Sequence, residues 1–257
     1  MWSDTDSRRA WEIVLQRIEG DLIAGRLLPG DHLPAERALA ADLGVGRSSV
    51  REALRVLEVL GLIRTQTGSG PQSGAIIVAR PSGGMSALMR LQVAAQGFIT
   101  SDVVKTRLVL ESAVVTELAT SPSADLTRAT EILDAMDSQT AAGALTETAL
   151  TEAEFLALDA AFHLALAEAS GNEVIASMMA GLRHSIESYV VAGSANLPSW
   201  ETTSARLRAE HREIVAAITA GDPALASTRV HDHIEAYYVE TNFISAHQKP
   251  AYRTSAR

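Results

Sequence analysis

One carboxylate and three imidazoles recur at helical spacing in the C-terminal part of this chain. Asp159 and His163 stand four residues apart, flanked by Phe155, Leu158, Phe162 and Leu166. They therefore share one helix face at the border of its apolar stripe. His211 lies between Leu207 and the pair Ile214 and Val215, and His233 lies between Val230 and Tyr237, so each falls on the inward face of a helix of its own. Polar groups turned inward from three helices are costly to bury unless something satisfies them. A divalent metal ion does so. Three imidazole nitrogens and one carboxylate oxygen suit zinc first, with nickel, manganese or iron as further candidates. Taken singly, each residue has a plainer reading. A lone inward histidine is more often a hydrogen-bonded core residue, and an Asp/His pair at i, i+4 is commonly a helix-surface contact. His231, beside Ser227 and Glu235, points about 200° around the helix from His233 and reads as a surface residue. His184 and His32 show no partner in the sequence.

A second group of side chains sits near the N-terminus. Arg47 and Arg51 are four residues apart and share a face, while Val50, Leu54, Leu57 and Leu60 form the opposite, apolar face that must pack inward. A short helix, a tight turn and a second helix with two arginines one turn apart form a device that reads DNA in the major groove. Guanidinium groups pair with guanine O6 and N7, so Arg47 and Arg51 are the expected base readers. Arg37, on the preceding helix, and Ser48 and Ser49 at the start of the second are expected on phosphate; the plainer reading of Arg37, Arg47 and Arg51 is a solvated helix face. Gly68 and Gly70 would let the backbone approach the minor groove.

These residues need elements to position them. Trp11 to Ala24 carries a stripe of Trp11, Val14, Leu15, Ile18, Leu22 and Ile23, which predicts a first helix. Ala35 to Leu43 forms the second, Gly44 the turn, Val45 its plug, and Arg47 to Leu60 the third. GLIRTQT and AIIV, separated by GSGPQSG, read as a two-stranded hairpin, and RPSGG (80–84) as a linker. From Met85 onward the period is helical throughout. Helices are expected at 102–119, 124–142, 152–169, 174–191, 204–220 and from Pro223 to about Ala246, with a glycine stop at SGN (170–172) and a loop around Asn196 to Pro198. The fold expected is mostly α: an N-terminal winged helix-turn-helix of three helices and a small β-hairpin over 1–80, a linker over 81–84, an antiparallel six- or seven-helix bundle over 85–247, and a disordered tail over 248–257.

Composition sets the bounds. The chain has 257 residues and no cysteine; 47% of its residues are apolar and only 4% aromatic. That allows two modest domains with Leu, Ala and Val cores and excludes disulfides and thiolate metal sites. No apolar run approaches the ~20 residues of a membrane span, and MWSDTDSRRAW has no signal-peptide core. A soluble, cytoplasmic protein is expected. The net charge of −9 is unevenly placed: residues 1–80 hold ten Arg and ten acidic residues, so the acidity belongs to the remainder. A neutral head with clustered arginines can hold DNA, and a repelling rear keeps non-specific binding weak.

LPAERALAADLGVGRSSVREALRVLEVLGLI (33–63) resembles the N-terminal signature of the GntR family of bacterial winged-helix transcription factors nearly position by position. Gly46 stands where that family usually has Ser or Thr, removing a capping hydroxyl, and GSGPQSG is longer than the family's usual wing turn. ALDAAFH (157–163), ASGN (169–172), EHREI (210–214), GDP (221–223) and His233-Ile234 resemble the FCD ligand-binding domain of the FadR subgroup. In metal-binding members of that domain, the positions corresponding to Asp159, His163, His211 and His233 hold the ion. Arg107 and Glu111 match the family's RxxxE segment. Arg107 would then receive an effector carboxylate in a bidentate fork, or else form only a structural ion pair. Asn172 would contact the effector or merely cap a helix.

The resemblance implies a homodimeric regulator, expected to be a repressor, on a palindromic double-stranded operator. Its effector would be a small carboxylate, a sugar acid or central-metabolism acid. Two rivals stand beside it. A metalloenzyme could use the same ligand set, but no Glu-flanked base motif accompanies it. A purely structural metal would need no effector.

Overall fold

The computed structural model describes residues 9–66, 74–78, 84–95, 98–137 and 150–241. They fall into two compact units divided between Ala87 and Leu88. The expected tail at 248–257, the hairpin tip with Gly68 and Gly70, and most of the linker lie outside the described residues.

In the first unit, helices α1 (Ala10–Ile23), α2 (Glu36–Leu43) and α3 (Arg47–Val59) precede strands β1 (Ile63–Gln66) and β2 (Gly74–Ile77). The strands pair antiparallel, with Ile63 opposite Ile77. Gly44 ends α2 at φ 65°, a left-handed conformation that glycine adopts without a Cβ clash, and its N–H donates to Ala40 O. That sharp reversal sets α3 across α2. Val14, Ile18, Leu39, Val50, Ala53, Leu54, Leu57, Ile63 and Ile77 close one core. Two stripe residues depart from expectation. Ile23 is 81% exposed and Leu60 37%, because α1 ends at Ile23 and Leu60 is already the C-cap of α3. At the last residue of a helix and beyond it, the 3.6-residue period no longer decides whether a neighbouring element covers the side chain.

The remaining helices are α4 (Gly84–Ala94), α5 (Thr100–Thr120), α6 (Thr127–Asp137), α7 (Glu152–Ala169), α8 (Glu173–Ser194), α9 (Trp200–Thr219) and α10 (Pro223–Glu240). The chain is thus mostly helical, with a single two-stranded sheet among the described residues. α10 packs chiefly against α5 and α9, and α7 against α8 and α6. Caps fix the helix ends. Thr151 and Glu154 satisfy each other's backbone N–H groups at the start of α7, and Asp222 with Pro223 opens α10. α9 begins at Trp200, four residues before the expected start, because the Ser199 hydroxyl accepts from Thr202 N. Phe155, Phe162, Leu207, Ile214, Val230 and Ile234 lie in the bundle core.

Candidate metal centre and nucleic-acid interface

α7 buries Phe155, Leu156, Ala160, Phe162, Ala165 and Leu166 and keeps one edge open to solvent at Ala153, Ala157 and Glu168. Asp159 and His163 are therefore fully interior rather than at the border of an apolar stripe. His211 of α9 and His233 of α10 meet them there. One ligand atom from each of these four residues lies within 4.8 Å of all the others. His233 Nε2 is 3.2 Å from both His163 Nε2 and His211 Nε2, and Asp159 Oδ1 is 3.0 Å from His211 Nε2. Two donors that each sit ~2.1 Å from a shared ion stand roughly 3.0–3.4 Å apart at right-angle to tetrahedral spread. These three spacings fall in that range, while Asp159 Oδ1 stands farther from His163 Nε2 and His233 Nε2, at 3.8 and 3.9 Å.

The far sides of two rings explain the crowding. His163 Nδ1 faces Glu111 Oε2, and His233 Nδ1 faces Glu210 Oε2 at 2.8 Å. A carboxylate only accepts, so the ring N–H groups point outward and the Nε2 lone pairs point inward. Two lone pairs 3.2 Å apart repel unless a cation stands between them. A proton could serve two donors, whereas three nitrogens and one oxygen aimed at a common point suit a metal ion. Burial lowers the affinity of His211 and His233 for protons, most strongly at His233, which keeps them as neutral ligands. Burial would raise the Asp159 carboxyl, but the His211 hydrogen bond and the neighbouring positive groups hold it below the ordinary carboxylate range. His211 Nδ1 is buried without a hydrogen-bond partner.

Arg107 and Glu111, on α5, extend this cluster. Arg107 Nε donates to Glu111 Oε1 at 2.6 Å and Nη1 donates to Tyr189 Oη at 3.2 Å, while Nη2 is buried without a partner. Burial raises the Glu111 carboxyl, but Arg107, followed by His163, outweighs it and holds the group at about 2. The adjoining cavity is walled in part by Arg107, Asp159, His233 and Tyr237 and has a volume of ≈ 10 Å³, about the room one water needs. Asn172 is exposed at the start of α8, where its Oδ1 accepts from Val174 N and Ile175 N; capping is what its geometry shows. His231 is exposed and within 3.7 Å of Glu235.

On the first unit, Arg37, Arg47, Ser48 and Arg51 are exposed and Ser49 is half-buried. α3 starts at Gly46 with no side-chain cap. Glu36 Oε2 lies 3.9 Å from Arg47 Nη2 and 3.6 Å from Arg51 Nε, so one acidic side chain stands near both exposed guanidinium groups. Sequence reasoning passed over Glu36, Glu210 and Tyr189. Glu36 is three residues into the quoted signature and Glu210 directly precedes a proposed ligand, but neither spacing announces a partner on another helix.

Residues 12–71 match the model described as bacterial regulatory proteins of the gntR family, and residues 102–236 match the FCD domain. The chain is 34% identical over 227 residues to the HTH-type transcriptional regulator LutR of Bacillus subtilis (strain 168), covering 84% of this chain and 97% of the relative. This chain belongs to the GntR family. The GntR protein is also 29% identical over 231 residues to the Glc operon transcriptional activator of Escherichia coli (strain K12), covering 89% of this chain and 88% of that one. It is 31% identical over 235 residues to the transcriptional repressor NanR of Citrobacter rodentium (strain ICC168), covering 87% and 82%. A solved structure of Streptococcus agalactiae GntR aligns with TM-score 0.58 and 24% identity over 93% of this chain and 100% of that one, a likeness of fold. The GntR protein is a transcriptional regulator with a DNA-binding helix-turn-helix head and an FCD domain; these relatives and domains are regulators, not enzymes. GntR regulators bind DNA operators and typically act as dimers. Among the described residues no helix is long and apolar enough to cross a membrane.

Proposed function

We propose that this GntR protein is a homodimeric, cytoplasmic repressor whose grip on a palindromic operator is set by a small carboxylate bound beside a metal ion in the FCD domain. The observation that carries the metal is the convergence of three inward Nε2 atoms, that of His233 lying 3.2 Å from each of the other two, with the His163 and His233 rings turned outward to carboxylates. Asp159, His163, His211 and His233 would hold the ion, zinc first, with nickel, manganese or iron as the alternatives. A bound divalent ion supplies a fixed positive charge to which an acid's oxygen can be anchored. Arg107 supplies the second anchor through its buried Nη2, and Glu111 keeps that guanidinium charged and in place.

In this reading residues 1–80 form the head, 81–84 the linker and 85–247 the sensor. Arg47 and Arg51 read bases, Arg37, Ser48 and Ser49 hold phosphate, and Gly68 and Gly70 carry the wing backbone to the minor groove. The acid favours one arrangement of α5, α7, α9 and α10 over another and so changes operator affinity. A coupling of ~1–3 kcal/mol would alter it about 5- to 150-fold. Band-shift titrations of the zinc-loaded protein with a panel of hydroxy, keto and sugar acids test this. No shift with any acid, with or without metal, would end the sensor reading.

The ≈ 10 Å³ cavity favours a second reading, in which the ion only staples the helices. Thermal melts separate the two. A staple raises Tm with metal alone, whereas a sensor gains further with a specific acid.

A further inference from the structure

Glu210 directly precedes His211 on α9, yet its carboxylate crosses to α10. Its Oε2 lies 2.8 Å from His233 Nδ1, and its Oε1 accepts from Arg206 Nη1 at 2.6 Å. Arg206 Nη2 in turn pairs with Glu240, whose Oε1 accepts from Thr203 Oγ1 at 2.7 Å. Two residues of α9 and one near the end of α10 therefore hold Glu210 in place.

We propose that Glu210 is a positioning residue for the metal centre, fixing His233 with Nδ1–H outward and its Nε2 lone pair aimed at the ion. The inference rests on the metal reading above. Neutral imidazole has two tautomers, and only one leaves Nε2 free to ligate. Glu111 gives His163 the same service from α5, while His211 has no such partner. Glu210 differs from Glu111 in where it stands. Glu111 is enclosed, whereas Glu210 borders an outer groove of ≈ 330 Å³ between α9 and α10, lined also by Arg206, Glu213, Arg229, Asp232 and His233. His233 thus has solvent-accessible space behind it, and a loosened ring there opens the centre to water and chelators. Glu210 governs how fast the ion leaves as well as how tightly it is held.

The test uses the full-length protein, with zinc as the probe and a chromophoric chelator as competitor. Glu210→Ala should lower zinc affinity about 10- to 100-fold and speed zinc removal by excess chelator. Glu210→Gln, whose amide oxygen can still accept from Nδ1–H, should restore most of both. Arg206→Ala leaves the ring contact in place and should give a smaller, several-fold loss, so the inference stays testable if Glu210→Ala folds poorly. Histidine ¹⁵N spectra of the metal-free protein should show His233 with Nδ1 protonated in wild type and lose that pattern in Glu210→Ala. Zinc held equally tightly and released equally slowly by wild type, Glu210→Ala and Arg206→Ala would overturn the role of Glu210 and leave the metal reading standing. A wild-type protein that takes up no zinc, nickel, manganese or iron would overturn the metal reading, and this inference with it.

Discussion

His163 and His233 face each other through their Nε2 atoms at 3.2 Å, from helices α7 and α10. Each ring turns its other nitrogen to a carboxylate from a further helix, Glu111 of α5 or Glu210 of α9. The contact is unfavourable between two neutral rings so oriented and becomes favourable once a shared cation sits between them.

His211→Ala should abolish stable metal binding, since it deletes one of four donors and opens a space beside Phe162, whose ring centroid lies 4.6 Å from that of His211. Elemental analysis of the purified variant should show less than one-tenth of the wild-type metal. The head forms its own core, so its affinity for non-specific DNA should be unchanged. Wild-type metal content in the variant would remove His211 from the ligand set.

Arg107→Ala leaves the Glu111 carboxylate buried beside His163 without its guanidinium partner. Breaking a buried pair from one side costs ~3–5 kcal/mol. Chemical denaturation of the metal-free protein should register a loss of that order, with any response to acids gone. A stability change under ~1 kcal/mol would show that the pair contributes no more than an exposed one.

How much of this was legible in the sequence differs by residue. That Asp159, His163, His211 and His233 turn inward could be read from their offsets to apolar neighbours, and they do meet in the bundle core. Singling them out as a proposed ligand set, and Arg47 and Arg51 as proposed base readers, needed the family resemblance as well. Glu210 and Glu36 could not be read so, because what they touch depends on how one helix is rotated against another, and a one-dimensional period carries no such angle. Ile23 and Leu60 mark a different limit, since at a helix's last residue and its cap a stripe no longer predicts burial. The early start of α9 at Trp200 did have a signal, the capping hydroxyl of Ser199 before the first turn.

Arg51→Ala should weaken specific operator binding by ~1–3 kcal/mol and flatten preference at the base pair it reads, with a smaller loss on scrambled DNA. Equal losses on both sequences, measured by fluorescence anisotropy at one salt concentration, would make Arg51 a phosphate contact.

Glu36→Gln removes the negative charge that stands beside Arg47 and Arg51. Loss of an acid near DNA favours all sequences, and loss of steering penalises the operator. The ratio of operator to scrambled-DNA affinity should therefore fall several-fold. An unchanged or higher ratio would deny Glu36 a steering role.

Gly46→Ser restores a capping hydroxyl at a position whose φ of −69° and ψ of 146° accept one without strain. Stability of the head should rise by a few tenths of a kcal/mol, read as a small shift of the denaturation midpoint. A loss instead would mean that the new side chain is crowded by Ser48, whose Oγ lies 3.4 Å from where its Cβ would stand.

The chamber beside Arg107 has a timing consequence. No organic acid fits a space of ≈ 10 Å³, so any such molecule reaching the guanidinium must wait for neighbouring helices to part, and must wait again to escape. Uptake would then run at the tempo of helix breathing rather than of diffusion. Under the proposed sensing role, such a regulator would average over brief fluctuations in its signal and answer only to a sustained supply.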